Sequence, residues 1–275
     1  MRQLLYSIIV FALFLAIIPI FGQDGDELLF NLPAFPAAKS DSTIKELNYG
    51  ARLLAEGKSF LAEEVLGKAL VANPKSAETA YNFGLALAFN GKYPEALQAN
   101  FKALELQPTF VEAHLAIGVI FLTRGDNEEA LKAFATVIEQ APDSESAKKA
   151  LFNKGVILGR LKRYTEAELC LSEALAQTPD DSAPAFEIGK LKMKQEKWDE
   201  ALKWLEAAAI AFPMEVEILR GKIYLKSNRV GDAENALKNA SDLLAKSNIA
   251  EDIRPQIAST IQVLKMELTK EPSSK

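Results

Sequence analysis

Six glycines recur along this chain at nearly one period. Gly50, Gly84, Gly118, Gly155, Gly189 and Gly221 are separated by 34, 34, 37, 34 and 32 residues. Twelve residues after each stands an alanine: Ala62, Ala96, Ala130, Ala167, Ala201 and Ala233. Twelve residues after five of these stands a proline: Pro74, Pro108, Pro142, Pro179 and Pro213. A second small residue recurs at Ala69, Ala103, Ala174, Ala208 and Ala240, with Val137 as the exception. Several independent registers at one period of 20–50 residues mark a stacked repeat and constrain the fold more than any composition does.

Each unit reads as two apolar-periodic segments joined by a short turn, such as Asn90-Gly91-Lys92 or Arg124-Gly125-Asp126. The small residues mark where two helices cross, because a larger side chain there would push the backbones apart. Tyr93, Tyr164 and Trp198 share one position at the start of the second helix and are expected to plug the gap toward the next unit. The proline lies past the second helix, where a missing N–H stops continuation. One helical hairpin cannot bury its apolar face alone, so neighbours must stack. With 49% hydrophobic and 25% charged residues, the 275-residue chain has the material for such a core.

The runs Asn82-Phe83-Gly84-Leu85-Ala86, Pro94-Glu95-Ala96-Leu97 and Leu106-Gln107-Pro108 resemble the tetratricopeptide repeat, and the resemblance covers about residues 43–247. It implies an all-α fold: an α-solenoid of six helical hairpins in a right-handed superhelix. The repeats are expected at about 43–76, 77–110, 111–144, 148–181, 182–213 and 214–247. Three extra residues between Pro142 and Gly155, taken as Glu145, Ser146 and Ala147, predict a longer first helix in repeat 4. The interval from Pro213 to Gly221 is two residues short, so repeat 6 is the least regular. Lys192 stands where repeat 5 would carry a bulky packing residue.

Thr43 with Glu46 suggests a capping box at the first helix. Ile253, Ile257, Ile261, Leu264 and Leu268 form one helical stripe. The sequence therefore predicts a capping helix within 249–269 over the apolar face of repeat 6, with Pro255 in its first turn. Residues 270–275 read as a polar tail.

At the other end no charged side chain falls between Arg2 and Asp24, and Leu4 to Phe21 is apolar but for Ser7 and Pro19. Residues 1–22 read as a signal peptide with a basic start, an apolar centre and Gly22 before a cleavage point. The other reading is an uncleaved membrane anchor, for which eighteen residues just suffice. Either places the repeats outside the cytoplasm, with a periplasmic or envelope-associated location as the expectation and membrane contact only through residues 4–21. Residues 23–42 read as a linker, with Asp24, Asp26 and Glu27 followed by Leu28, Leu29, Phe30 and Leu32 and interrupted by Pro33 and Pro36. That apolar cluster either packs on the first helix or serves as a short docking segment.

The composition argues against several chemistries. A net charge of −5 disfavours general nucleic-acid binding. One cysteine, Cys170, makes no internal disulfide and no cysteine-rich zinc site. One histidine, His114, supports no histidine-pair metal motif. Glu63-Glu64 and Glu128-Glu129 are adjacent acids on exposed helix positions, not an acid–base pair across a cleft. No glycine-rich phosphate loop is present, because the glycines mark the repeat. The expectation is a non-catalytic protein with no cofactor and no metal.

The resemblance implies that the first helix of each repeat lines a concave groove. With the glycine as position 8, position 6 is Asn48, Asn82 and Asn153 in repeats 1, 2 and 4. A carboxamide there can donate to and accept from a peptide backbone; the alternative is that these asparagines bond only to neighbouring helices. Positions 9 and 13 supply Lys190, Lys194, Lys222 and Lys226, and position 13 of repeat 4 is Arg160. Such cations suit an acidic segment or a C-terminal carboxylate; the alternative is ordinary solvated lysines. Leu47, Ala51 and Glu112 stand where a chaperone-binding carboxylate clamp would need Lys, Asn and Lys. The leading functional expectation is an exported scaffold that binds an extended peptide or partner protein in the groove. The alternative is a membrane-anchored structural subunit that contacts partners through its convex face or N-terminal segment.

Overall fold

The computed structural model describes residues 42–251 and 253–269, with side chains from residue 45 onward. The leader or anchor at 1–22, the linker up to residue 41, the Thr43 side chain of the expected capping box and the tail at 270–275 lie outside the described residues. Among the described residues there are thirteen α-helices and no strand. They are α1 Ser42–Ala55, α2 Ser59–Ala72, α3 Ala77–Phe89, α4 Tyr93–Leu106, α5 Val111–Arg124, α6 Asn127–Gln140, α7 Glu145–Arg160, α8 Tyr164–Gln177, α9 Ala183–Lys194, α10 Trp198–Ala208, α11 Pro213–Lys226, α12 Val230–Lys246 and α13 Arg254–Leu268. The fold is an all-α solenoid of helical hairpins. It divides into two compact units, one up to Cys170 and one from Leu171 onward.

The periodic glycine has a steric cause. A methyl group built on Gly50 would lie 2.4 Å from Leu66 Cγ, on Gly118 2.6 Å from Phe134 Cε1, on Gly189 2.9 Å from Leu205 Cγ and on Gly221 2.6 Å from Leu237 Cδ2. Each large partner stands sixteen residues after its glycine on the second helix of the hairpin. A knob from one helix thus fills the space that a side chain on the other would need. Leu66, Phe134, Leu205 and Leu237 are fully buried as a result. Removing Phe134 beyond Cβ would cost about 3–5 kcal/mol. In repeat 2 the knob is Asn100, 2.4 Å from the same construction on Gly84. Its Nδ2 donates to Ala96 O at 2.8 Å while its Oδ1 has no partner among the described residues.

All six hairpin turns close alike. A residue one or two positions past the first helix has positive φ: Gly57, Gly91, Gly125, Lys162, Glu196 and Asn228. Its N–H donates three residues back, and the next N–H donates five residues back; in repeat 1 these are Gly57 N to Leu54 O and Lys58 N to Leu53 O. This is the double C-terminal cap in which a left-handed residue satisfies two orphan carbonyls.

In the first unit, helices α1, α3, α5 and α7 contact one another in succession, and α1, α3 and α5 also pack on their own hairpin partners. Ten of the thirteen residues of α3 are buried, against five of the fourteen of α4. Helices α3, α5 and α7 are therefore enclosed, and the second helices show an outer face to water. Helix α7 has sixteen residues and begins at Glu145, so the inserted residues extend its first turn, capped by Ser144 Oγ on Ala147 N at 3.0 Å.

In the second unit, Pro213 opens α11 at its first turn instead of trailing α10. The two-residue deficit before Gly221 is met by this sharing, and α10 is only eleven residues long. Helix α13 lays Ile257, Ile261 and Leu264 against Met214, Ile218, Leu237, Ala240 and Leu244. Arg254 ties it down by donating to Leu244 O at 2.9 Å and to Ser247 O.

Candidate functional site

On the inner helices of the first unit, the three asparagines of position 6 occupy two environments. Asn48 is exposed. Asn82 and Asn153 are each 1% exposed. Asn48 therefore stands at the surface, while Asn82 and Asn153 are enclosed by the helices around them. Asn82 Nδ2 donates to Glu78 O at 2.7 Å, one turn back on α3. That accounts for a donor but leaves Asn82 Oδ1, and likewise Asn153 Oδ1, buried with no partner among the described residues. Each such oxygen costs about 1–3 kcal/mol as it stands. The phenol oxygen of Tyr81 is a third buried polar atom without a partner. Burial raises the phenol's pKa above the ordinary tyrosine value, and the charge of Glu112 adds to the rise. The Tyr81 ring is fixed against Phe110 at 5.0 Å between centroids.

Position 2 of the same helices carries Glu78, exposed, and Glu112, half-buried. Repeat 4 has Lys149 there, half-buried, with its ammonium held below the usual lysine pKa by burial and Glu145 opposing. Arg160 ends α7 and is half-buried. Acceptors thus dominate repeats 2 and 3, and cations appear in repeat 4.

In the second unit, the lysines differ among themselves. Lys190 Nζ is 2.6 Å from Glu187 Oε1 and 5.5 Å over the Phe186 ring, so its charge is already matched. Lys194 is exposed at the end of α9. Lys222 and Lys226 on α11 are exposed one turn apart and pair with no carboxylate among the described residues. Of the cations expected along this face, Lys190 is held in an ion pair, whereas Lys194, Lys222 and Lys226 are exposed. Arg160 belongs to the first unit and is described there.

Two charges are buried in the second unit: Lys192, already marked by the sequence as standing at a packing position, and Glu215, which the sequence did not mark. Lys192 is buried and reaches Glu200 Oε2 at 2.9 Å. Glu215, at position 2 of repeat 6, is 2% exposed, and its Oε1 has no partner among the described residues. Burial pushes its carboxyl up to about 7, and its own backbone N–H offsets part of the rise. The signal was present, because Glu215 shares the register of Glu78 and Glu112.

Cys170 is buried, and the nearest cation by register, Arg163, is engaged by Glu166 through two hydrogen bonds of 2.7 Å. His114 Nε2 lies 3.3 Å from Pro108 O. Among the described residues no three His, Cys, Asp or Glu side chains gather into a metal-binding group, and no helix is long and apolar enough to cross a membrane.

Comparison with known proteins agrees with this architecture. The tetratricopeptide repeat family profile matches residues 50–109, 81–145, 115–182 and 186–242. PilF of Pseudomonas aeruginosa superposes with a TM-score of 0.67 at 16% identity, over 82% of this chain and 97% of PilF. PilW, a widely conserved type IV pilus biogenesis factor, gives 0.67 at 17% identity, over 80% of this chain and 100% of PilW. MamA gives 0.53 at 19% identity, over 62% of this chain and 94% of MamA. At these identities the likeness is one of fold. No curated protein matches the chain. From the repeat register, the glycine–knob crossings and the matched profile together, the chain belongs to the tetratricopeptide repeat family.

Proposed function

We propose that this chain is a non-catalytic scaffold that holds an extended peptide or a partner protein against its first helices. The observation that carries the reading is the pair of buried, unpartnered amide oxygens on Asn82 and Asn153. A partner backbone N–H is the group that would complete them, once the inner face opens enough to admit it. Glu78 and Glu112 favour a donor-rich or basic partner segment at the first unit. Lys194, Lys222 and Lys226 favour an acidic segment or a C-terminal carboxylate at the second. The apolar run at residues 4–21 and the fold likeness to PilW, a type IV pilus biogenesis factor, support an exported, envelope-associated protein.

The test is a crosslinking pull-down from the native cell envelope. Three chains are compared at matched helicity: the wild type, Asn82→Ala with Asn153→Ala, and Lys194→Glu with Lys222→Glu and Lys226→Glu. A partner captured by the wild type and lost at least tenfold by either variant supports the inner face. Capture unchanged in both overturns it and moves the working surface to the outer face, as in a membrane-anchored structural subunit.

A further inference from the structure

Helix α2 carries an apolar stripe that nothing in the described fold covers. Phe60 is 75% exposed and Val71 84% exposed. With Gly67 between them, they follow helical spacing down one face. They line an open groove of about 660 Å³ with Phe83 and the rim ion pairs Lys68–Glu64 and Lys92–Glu63. Its floor exists because residue 67 is glycine: a methyl group there would come within 3.2 Å of Phe83 Cε2. The equivalent residues of the later repeats are Phe101, Ala135, Ser172, Glu206 and Lys238, so only repeat 1 carries a glycine at this position. A contiguous apolar surface of this kind marks a binding site.

The position of the groove selects its occupant. Helices α1 and α2 form an antiparallel hairpin closed at residues 56–58, so the start of α1 lies beside the end of α2. The charge of Glu46 in the first turns of α1 is felt by Lys68 near the end of α2. The chain that leads into α1 therefore emerges at the Val71 end of the groove. That chain carries Leu28, Leu29, Phe30 and Leu32, which no repeat position accounts for.

The lengths agree. Nine residues, Pro33 to Asp41, separate Leu32 from α1 and span up to about 30 Å. Helix α2 has fourteen residues and is about 21 Å long. Phe60 and Val71 are eleven residues apart, about 16 Å along the axis. An extended chain covers the four steps from Leu28 to Leu32 in about 13 Å. Because the segment is tethered, its effective concentration is about millimolar, so a small contact suffices.

We propose that residues Leu28–Leu32 of the same chain dock in the groove formed by Phe60, Gly67, Val71 and Phe83. The docked segment covers the apolar outer face of repeat 1 and fixes where the region before the repeats leaves the array.

Disulfide trapping tests this in the full-length chain, purified from the cells that make it and carrying Cys170→Ser. Leu32→Cys is paired with Val71→Cys and, as the control, with Leu169→Cys, which is exposed on α8 within the same unit. The expected result is an intramolecular disulfide at least tenfold more abundant in the Val71 pair, with a yield unchanged by dilution. Adding Leu29→Asp and Phe30→Asp is expected to reduce that yield to the control level, which separates docking from mere proximity of the tether. Equal yields in the two pairs overturn the proposal, as does a yield indifferent to the aspartates. A disulfide-linked dimer that disappears on dilution also overturns it and assigns the groove to a second copy.

Discussion

The first three repeats and the last three close their hairpins with the same two backbone hydrogen bonds but with different residues. Gly57, Gly91 and Gly125 take the left-handed conformation in repeats 1–3, where glycine carries no steric penalty. Lys162, Glu196 and Asn228 take it in repeats 4–6, where an L side chain costs about 1–2 kcal/mol. The contrast extends inward. Position 11 is Leu53, Leu87, Phe121 and Leu158 in repeats 1–4 but the buried Lys192 in repeat 5. Position 2 is the exposed Glu78 in repeat 2 but the buried Glu215 in repeat 6. The later repeats hold the same backbone course against less favourable side chains. The turn bonds and the glycine–knob crossings suffice to keep the geometry.

Three measurements sharpen this contrast. The largest effect is expected at Glu215. Its folded carboxyl titrates near 7 against 4.5 for an unburied glutamate. Between those values the folded chain holds a proton that the unfolded chain has lost, so stability falls as pH rises through the window. The full loss is about 3 kcal/mol above pH 7. Glu215→Gln is expected to remove that slope and to be the more stable chain at pH 8, read as urea midpoints from pH 5 to 8. Glu63 and Glu64 do not confuse the reading. Hydrogen bonds from Lys92 and Lys68 depress their pKa values, so their contributions fade only in more acid solution.

Next is Lys192→Leu. The change restores the residue type of repeats 1, 2 and 4 and frees Glu200, which is already half in water. A gain of about 1 kcal/mol is expected, and a melting temperature below that of the wild type would show that the ion pair contributes net stability. The smallest effects lie in the turns. Gly91→Ala is expected to lose about 1 kcal/mol and Glu196→Gly to gain about 0.5 kcal/mol, the latter reduced by the added freedom of the unfolded chain. Equal and opposite shifts in denaturant midpoint would mean that the two halves of the array use this position alike.

The repeat was legible because its physics is steric. Gly118 is required by the ring of Phe134 sixteen residues on, and a requirement of that kind leaves a residue type behind in every unit. The buried face of α13 was legible because Ile257, Ile261 and Leu264 follow one helical period. The turns at Lys162, Glu196 and Asn228 could not be read by residue type, since backbone bonds hold them. The depth of Asn82 and Asn153 was hidden too, because it depends on how closely the neighbouring first helices enclose α3 and α7. The same holds for Lys190, whose register marks it as a groove cation but whose charge is matched by Glu187 one turn back.

Within each unit the substantial helix contacts run to the next helix in the chain or the one after. The distance in sequence that must be closed to form any of them is about one repeat. Loop-closure entropy is therefore small at every step, and proteins of such low contact order fold in microseconds to milliseconds. Structure can begin wherever a hairpin first forms and spread in either direction. An emerging chain has no distant strand or terminus to wait for, and each completed repeat becomes the template on which the following one settles.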